Sequence, residues 1–292
     1  MLVIDQLSKT YDNGTQALAG VSLTIATGMF GLLGPNGAGK STLMRTLATL
    51  QDADGGSARL GDIDMLKDKA RVRELLGYLP QEFGVYPRVS AEELLNHFAT
   101  LKGIMNPKER RREVEALLVR TNLWEVRKKH LGSFSGGMKQ RFGIAQALLG
   151  TPKLIIVDEP TAGLDPEERV RFHNLLSDIG EDVVVILSTH IVEDVSDLCT
   201  QMAIIDKGRV LLTGAPSEAI ATLAGRLFRK VVDKSEAETL AKELPVISTR
   251  LFAGRTRVHV VSESAPPGFE PRPPELEDVY FAAIKGQLGR AA

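Results

Sequence analysis

Gly34-Pro35-Asn36-Gly37-Ala38-Gly39-Lys40-Ser41-Thr42 fits the pattern G-x-x-x-x-G-K-[ST], and its reading decides the fold. Met29-Phe30-Gly31-Leu32-Leu33 before it is a short apolar run that predicts a buried strand, and Ser41 to Leu47 after it predicts the opening of a helix. Strand, glycine loop and helix in that order turn successive backbone N–H groups toward one point and aim the positive end of the helix at it. The glycines let the backbone wrap an anion closely, because a Cβ would block the approach or the required φ. Gly34 through Thr42 therefore predict a nucleotide cradle in which Lys40 reaches the β- and γ-phosphates and the Ser41 hydroxyl is offered to Mg²⁺. The strand–helix context weighs against a glycine-rich turn with no ligand.

Working outward, Leu154-Ile155-Ile156-Val157-Asp158-Glu159 is an apolar strand that ends in two adjacent carboxylates. A buried strand delivers its C-terminal residues to the ligand edge of a parallel sheet, where the glycine loop also opens. Asp158 can hold Mg²⁺ there through water, and Glu159 can orient and polarise a water in line with the γ-phosphate. Alone, the pair could equally be a strand end with solvated acids. Phe134-Ser135-Gly136-Gly137-Met138-Lys139-Gln140-Arg141 is a second anion-binding helix start, opening a helix expected over Met138 to Leu149. One nucleotide does not need two such clamps from one subunit. The economical expectation is that Ser135, Gly136 and Gly137 close on the nucleotide held by a second copy.

The remaining pattern predicts an α/β architecture with a mostly parallel sheet, a β-rich N-terminal part and an inserted helical block over about residues 83–149. Leu2 to Ile4 and Val21 to Ile25 read as strands around the turn Tyr11-Asp12-Asn13-Gly14. Ser90-Ala91-Glu92-Glu93 fits a capping box, and Glu109 to Val119 a second amphipathic helix whose run Arg110-Arg111-Arg112 reads as a solvated face. Val183 to Leu187 reads as another central strand, with Pro166 to Asp178 as the crossover helix before it. Past about residue 215 the character changes to a small α+β extension, residues 216–292. It shows a strand over Leu227 to Val232, a helix over Ser235 to Leu244, a hairpin around Ala253-Gly254, a stiff linker from Ala265 to Pro274 and a last amphipathic helix from Glu275 to Leu288. That helix carries Leu276, Val279, Tyr280 and Ile284 on one face and needs an apolar partner: the main domain, a second subunit or a membrane protein; the extension is expected to hold the two subunits together or to dock them.

Composition sets the outer bounds. Net charge is −1 over 292 residues, so nothing electrostatic points to nucleic acid or an anionic surface. The single cysteine, Cys199, can form neither an intrachain disulfide nor a cysteine-rich zinc site, which favours a reducing, cytoplasmic compartment. The N-terminus lacks the pattern of a signal peptide. The apolar run Val183 to Leu187 falls far short of the roughly 20 residues that span a bilayer, so any membrane link is expected through a partner.

Taken in order, these motifs resemble those of the nucleotide-binding subunit of an ATP-binding cassette (ABC) transporter, over roughly residues 1–215. The resemblance rests on Gly34–Thr42, the signature Ser135-Gly136-Gly137, the pair Asp158-Glu159, the D-loop Gly163-Leu164-Asp165-Pro166, and the histidine of Ser188-Thr189-His190. Leu79-Pro80-Gln81 resembles the Q-loop, whose glutamine touches Mg²⁺, and Tyr11 matches the aromatic that stacks on adenine. The resemblance implies binding and hydrolysis of ATP with Mg²⁺, with Glu159 and His190 at the reaction centre and Asp165 supporting the interface and the attacking water. It also implies dimerisation around two ATP molecules, a separate integral membrane permease, a peripheral place on the cytoplasmic face of the membrane, and no nucleic-acid partner. Read singly, Tyr11 could be a surface turn residue and His190 a structural histidine. His97, His130, His173 and His259 show no metal spacing.

Two departures stand out. The family's usual signature is Leu-Ser-Gly-Gly-Gln, and here Phe134 and Met138 replace its ends. The Met-Lys-Gln-Arg continuation, and the ending Leu276-Glu277-Asp278-Val279-Tyr280-Phe281, resemble the branch that pairs with separately encoded membrane subunits in drug, antibiotic or lipid export. The competing classes are a soluble ABC ATPase acting on DNA or ribosomes and a P-loop kinase or GTPase. Long coiled-coil insertions, zinc-binding cysteines and a second cassette are all missing from this sequence, and the signature argues against a kinase or GTPase.

Overall fold

Strand segments whose neighbours on both faces are apolar must themselves be apolar throughout, and two runs of this chain meet that condition. In the computed structural model, which describes residues 1–81, 84, 86–161, 164–179 and 183–288, they lie at the centre of a six-stranded sheet. The chain opens with β1 (Leu2–Thr10), β2 (Gln16–Ile25) and β3 (Gly28–Leu33), then α1 (Lys40–Leu47), β4 (Gly55–Leu60) and β5 (Ile63–Asp64). Next come α2 (Lys69–Leu75), β6 (Leu76–Leu79) and the helices α3 (Ala91–Leu101), α4 (Pro107–Arg120) and α5 (Gly136–Ala147). The chain returns to the sheet through β7 (Leu154–Asp158), α6 (Pro166–Ser177), β8 (Val184–Thr189), α7 (Val192–Leu198), β9 (Gln201–Asp206) and β10 (Arg209–Gly214). The extension holds α8 (Pro216–Ala221), β11 (Leu227–Val232), α9 (Lys234–Glu243), β12 (Val246–Phe252), β13 (Arg255–Val261), β14 (Glu270–Pro271) and α10 (Leu276–Ile284).

The central sheet runs β10-β9-β3-β8-β7-β6, parallel except for the β9–β10 edge, while β2-β1-β4-β5 form a separate antiparallel sheet. Every residue of β7 and β8 is buried. The period of two then sorts side chains into two cores. Phe30, Leu32, Ile156 and Ile186 face α1 and the antiparallel sheet, packing on Leu43, Met44 and Leu47. Met29, Leu33, Ile155, Val157, Val185 and Leu187 face the other way, into a core with Phe172 and Leu176 of α6 and Val195 of α7. This parallel order brings the C-terminal ends of β3, β7 and β8 to one edge, which sets where the chemistry can sit.

Helices α3, α4 and α5 enclose their own core around Leu95, Leu118 and Phe142. The capping box is present: Glu93 N–H donates to Ser90 Oγ at 3.3 Å and Ser90 N–H to Glu93 Oε2 at 3.0 Å. Arg111 and Arg112 are exposed as expected, but Arg110 is half-buried and donates to the carbonyls of Ile104 and Met105, tying down the preceding loop. Residue 83, the expected start of this block, lies outside the described residues. Helix α5 begins at Gly136, two residues earlier than its apolar pattern suggests, because Ser135 caps it by accepting from Met138 N–H.

The extension folds as a four-stranded sheet, β12-β13-β11-β14, with α9 against it. The stretch 265–274 is more than the expected linker, since Glu270–Pro271 adds an edge strand to β11. The last helix stops at Ile284 instead of Leu288, where Gly286 turns the chain at φ 66°. Its apolar face has the main domain as partner. Leu276, Val279 and Tyr280 share one core with Val195, Met202 and Ile204, and with Leu227, Ile247 and Val261 of the extension.

A buried polar cluster fixes this helix in register. Asp278 accepts from the backbone N–H of Glu275 at 2.9 Å and lies 3.2 Å from His259 Nδ1 and 3.3 Å from Arg272. Burial works to raise the Asp278 carboxyl, but the His259 ring, the Glu275 N–H and Arg272 together hold it below its ordinary value. A depressed carboxyl contributes stability above its unfolded-state range and loses it as pH falls through its folded value. Asp278→Asn should therefore lower the melting temperature at pH 7, by a margin that narrows as pH falls through the carboxylate range. A margin independent of pH would show that the charge contributes nothing.

Candidate nucleotide site

The glycine loop leaves β3 at Leu33 and enters α1 at Lys40, and two of its glycines are there for reasons of space and dihedral. Gly39 precedes the helix at φ 105°, and a Cβ on it would lie 2.4 Å from the Ala17 carbonyl oxygen. A Cβ on Gly34 would lie 2.4 Å from the Ile205 carbonyl oxygen. No side chain caps α1, so its first-turn N–H groups stay available to an anion. Lys40 is 5% exposed and folds back over the loop, its Nζ donating to the carbonyls of Gly34 at 2.6 Å and Pro35 at 3.2 Å. Burial lowers its pKa from the ordinary lysine value, and the charges of Glu159 and Asp158 oppose that shift. The loop floors an open cleft of about 430 Å³, also lined by Tyr11, Ala17, Gln81 and Glu159.

Glu159 is where the other elements converge. It follows β7 with φ 47°, a left-handed conformation unusual for a glutamate, secured by its N–H donating to the Ser188 carbonyl of β8 at 2.8 Å. That turn redirects its side chain. Oε2 accepts from Gln81 Nε2 at 3.0 Å, while Oε1 lies 3.2 Å from His190 Nδ1 and 4.0 Å from Lys40 Nζ. Asp158, one residue earlier, is 4% exposed, and its Oδ1 has no hydrogen-bond partner. Burial pushes its carboxyl above the ordinary range. An orphaned buried carboxylate oxygen beside the Ser41 hydroxyl and the loop fits a site that shares a hydrated Mg²⁺ with phosphate oxygens. Among the described residues there is no group of three His, Cys, Asp or Glu side chains that could hold a metal unaided.

The structure thus brings Tyr11, Gly34 to Thr42, Gln81, Asp158, Glu159 and His190 to one sheet edge. Tyr11, 38% exposed, has its hydroxyl 3.1 Å from Thr42 Oγ1 and donates to Gln51 Oε1 at 3.3 Å, which leaves its ring at the cleft wall. Gln81 faces Glu159 rather than Asp158. Ser135, Gly136, Gly137 and Asp165 do not line this cleft. Ser135 and Gly136 are exposed, and a Cβ on Gly137 would lie 2.2 Å from Glu168 Oε2, the carboxylate that pairs with Arg141 at 2.6 Å. Asp165 is exposed and caps α6, accepting from Glu168 N–H at 2.9 Å. Gly163 of the D-loop lies outside the described residues. Phe134 and Met138, the departures at the signature's ends, pack into the helical block's core, while Ser135 and Gly136 stay exposed and Gly137 is buried.

Sequence reasoning passed over Asp194, Thr161 and Gln51. Gln51 donates to the Thr42 carbonyl at 2.9 Å and to Thr46 Oγ1 at 3.0 Å, bracing α1 from behind. No spacing in the chain announces any of the three, because each is defined by a partner in another element.

Comparison with known proteins shows the family of the chain. The ABC transporter family profile matches residues 18–162. The chain is 34% identical over 256 residues to the probable multidrug ABC transporter ATP-binding protein YbhF of Escherichia coli, covering 86% of this chain but 44% of that protein. It is 32% identical over 304 residues to the uncharacterized ABC transporter ATP-binding protein YxlF of Bacillus subtilis, covering 97% and 99% of the two chains. It is 35% identical over 242 residues to the daunorubicin/doxorubicin resistance ATP-binding protein DrrA of Streptomyces peucetius, covering 82% and 72%. Among solved structures, the dimeric post-hydrolysis cassette MJ0796 bound to ADP and Pi superposes with a TM-score of 0.67 at 27% identity, over 74% of this chain and 98% of that one. The chain belongs to the ABC transporter family and carries its ATP-binding ATPase cassette.

The geometry of the loop makes a direct prediction. Gly39→Ala should abolish measurable ATP binding in a protein whose circular dichroism stays native, because the methyl meets the Ala17 carbonyl and the φ is unfavourable. Retained affinity would show that the loop can move aside without loss.

Proposed function

We propose that this chain hydrolyses ATP with Mg²⁺ as one of two cassettes in a dimer, and that the cycle drives export of a drug, antibiotic or lipid through a separate membrane subunit. The observation that carries this reading is the convergence of Lys40, Gln81 and His190 on Glu159 at the mouth of the glycine loop. The relatives named for multidrug transport and daunorubicin/doxorubicin resistance support the export direction and the cargo class. The dimeric MJ0796 cassettes support self-association. No described helix is long and apolar enough to cross a membrane, consistent with a separately encoded permease at whose cytoplasmic face the chain would work.

In the chemistry we infer, the α1 N-terminus and the loop amides hold the β- and γ-phosphates, and Lys40 exchanges its carbonyl partners for phosphate oxygens. Mg²⁺, when bound, neutralises phosphate charge; Ser41, Asp158 and Gln81 would hold it, with Gln81 released from Glu159. Glu159 takes a proton from the water that attacks the γ-phosphorus, and ADP departs with the cleaved oxygen. His190 hydrogen-bonds Glu159 through Nδ1 and keeps Nε2 for the γ-phosphate. Tyr11 stacks on the adenine. The open side of the cleft is closed by Ser135, Gly136 and Gly137 of a second copy, with Asp165 at the seam. Hydrolysis removes the γ-phosphate between the two halves and lets them part, which is the two-state element transport needs.

Glu159→Gln should keep ATP affinity within a few-fold, slow hydrolysis by about 10²-fold or more, and accumulate an ATP-bound dimer on size exclusion. Wild-type turnover in this variant would remove Glu159 from the mechanism.

A further inference from the structure

Asp194 lies on α7, four residues past His190, and is fully buried. A carboxylate in that position persists only if donors replace the water it lost. Its Oδ2 accepts from the Thr161 hydroxyl at 2.6 Å and the Thr189 hydroxyl at 3.3 Å. Its Oδ1 accepts from Arg169 Nε at 2.9 Å and lies 2.8 Å from His173 Nε2, which donates in the matching tautomer. An ionised carboxylate offers about four acceptor positions, and these donors fill them.

The donors come from the segments that carry the reacting groups. Thr161 stands two residues beyond Glu159, and Thr189 immediately before His190. Arg169 and His173 lie on α6, which Asp165 caps. Thr189 Oγ1 also accepts from the N–H of Ile191 at 3.0 Å, closing a short turn around His190. That acceptance leaves the hydroxyl proton to point at Asp194, so the carboxylate fixes the rotor that shapes the turn. His190 in turn lies 3.2 Å from Glu159. Next to Asp194, Val195 packs α7 against Gly31 of β3 in a core shared with α10, so the helix has little room to shift.

We propose that Asp194 is a positioning residue for hydrolysis: through Thr161 and Thr189 it holds the segments bearing Glu159 and His190 in one register, and through Arg169 and His173 it ties them to the helix capped by Asp165. It touches neither nucleotide nor attacking water. The inference rests on the ATPase reading above. Displacing a catalytic group by about 1 Å can cost roughly 10²-fold in rate without removing any contact to substrate.

The test is steady-state ATPase kinetics of the full chain with Asp194→Asn, Thr189→Val, the double variant and Thr189→Ser, with ATP affinity measured alongside. Asp194→Asn keeps the side chain's shape but loses one acceptor and the charge. Its kcat should fall about 10-fold to 100-fold while KM and ATP affinity stay within about three-fold. Thr189→Val should also lower kcat, the double variant should be little worse than Asp194→Asn alone, and Thr189→Ser should restore turnover. A purely structural role predicts instead that affinity and turnover fall together. Turnover of Asp194→Asn within two-fold of wild type, equal losses of affinity and kcat, or fully additive effects would each overturn the proposal. If Asp194→Asn does not fold, Thr161→Val decides: a kcat loss of at least about five-fold at unchanged affinity supports the inference, and unchanged turnover overturns it. A wild-type chain that binds ATP without hydrolysing it would sink the ATPase reading itself.

Discussion

Buried charge at one edge of a parallel sheet is the constraint on which the site depends. Lys40 and Asp158 are each about 95% buried, and Glu159 nearly so. Removing such groups from water costs several kcal/mol apiece unless partners replace the solvent. The protein's own groups meet that cost only in part. Lys40 is satisfied by carbonyls of its own loop and Glu159 by Gln81 and His190, but one Asp158 oxygen has nothing. Partners that are provisional for lysine and glutamate, and missing for one aspartate oxygen, are what the proposed binding of a nucleotide with Mg²⁺ would complete. The left-handed backbone of Glu159 belongs to the same economy, because the strained turn aims its carboxylate back over the loop.

What could be read from sequence follows from how local each determinant is. The glycine loop and the all-apolar strands around Ile155 and Val185 are legible because their causes lie within a few residues: φ, close approach, and burial on both faces. The capping box at Ser90 was legible for the same reason. The edge strand at Glu270–Pro271 was not, since only its pairing with Phe228 and Arg229 makes it a strand. Arg110 looked like its two exposed neighbours until the loop it caps was placed beside it. Asp194 sits amid the acidic residues of α7, and its donors are scattered from Thr161 to Thr189.

The extension teaches a related lesson. Its last helix required an apolar partner, and hydrophobic pattern alone could not choose among the main domain, a second copy and a membrane subunit. The structure pairs it with α7 and the β9–β10 edge, through a core that runs without interruption from Phe172 to Tyr280. The His259–Asp278–Arg272 cluster then sets the helix's register, a polar lock within an otherwise apolar contact. The altered signature is a packing matter too: Phe134 and Met138 fill space in the helical core, away from the exposed Ser135 and Gly136.

The central claim is that a cleft open on one side is completed by Ser135 of another copy, although Ser135 does not line the cleft of its own chain. The most direct measurement is the steady-state ATPase rate of Ser135→Arg, with ATP affinity of the monomer measured in parallel. Losing one anion-stabilising contact of this kind typically costs about 10²–10³-fold in rate. The account predicts monomer affinity within a few-fold of wild type and turnover reduced by at least about 100-fold. Wild-type turnover by Ser135→Arg would contradict it.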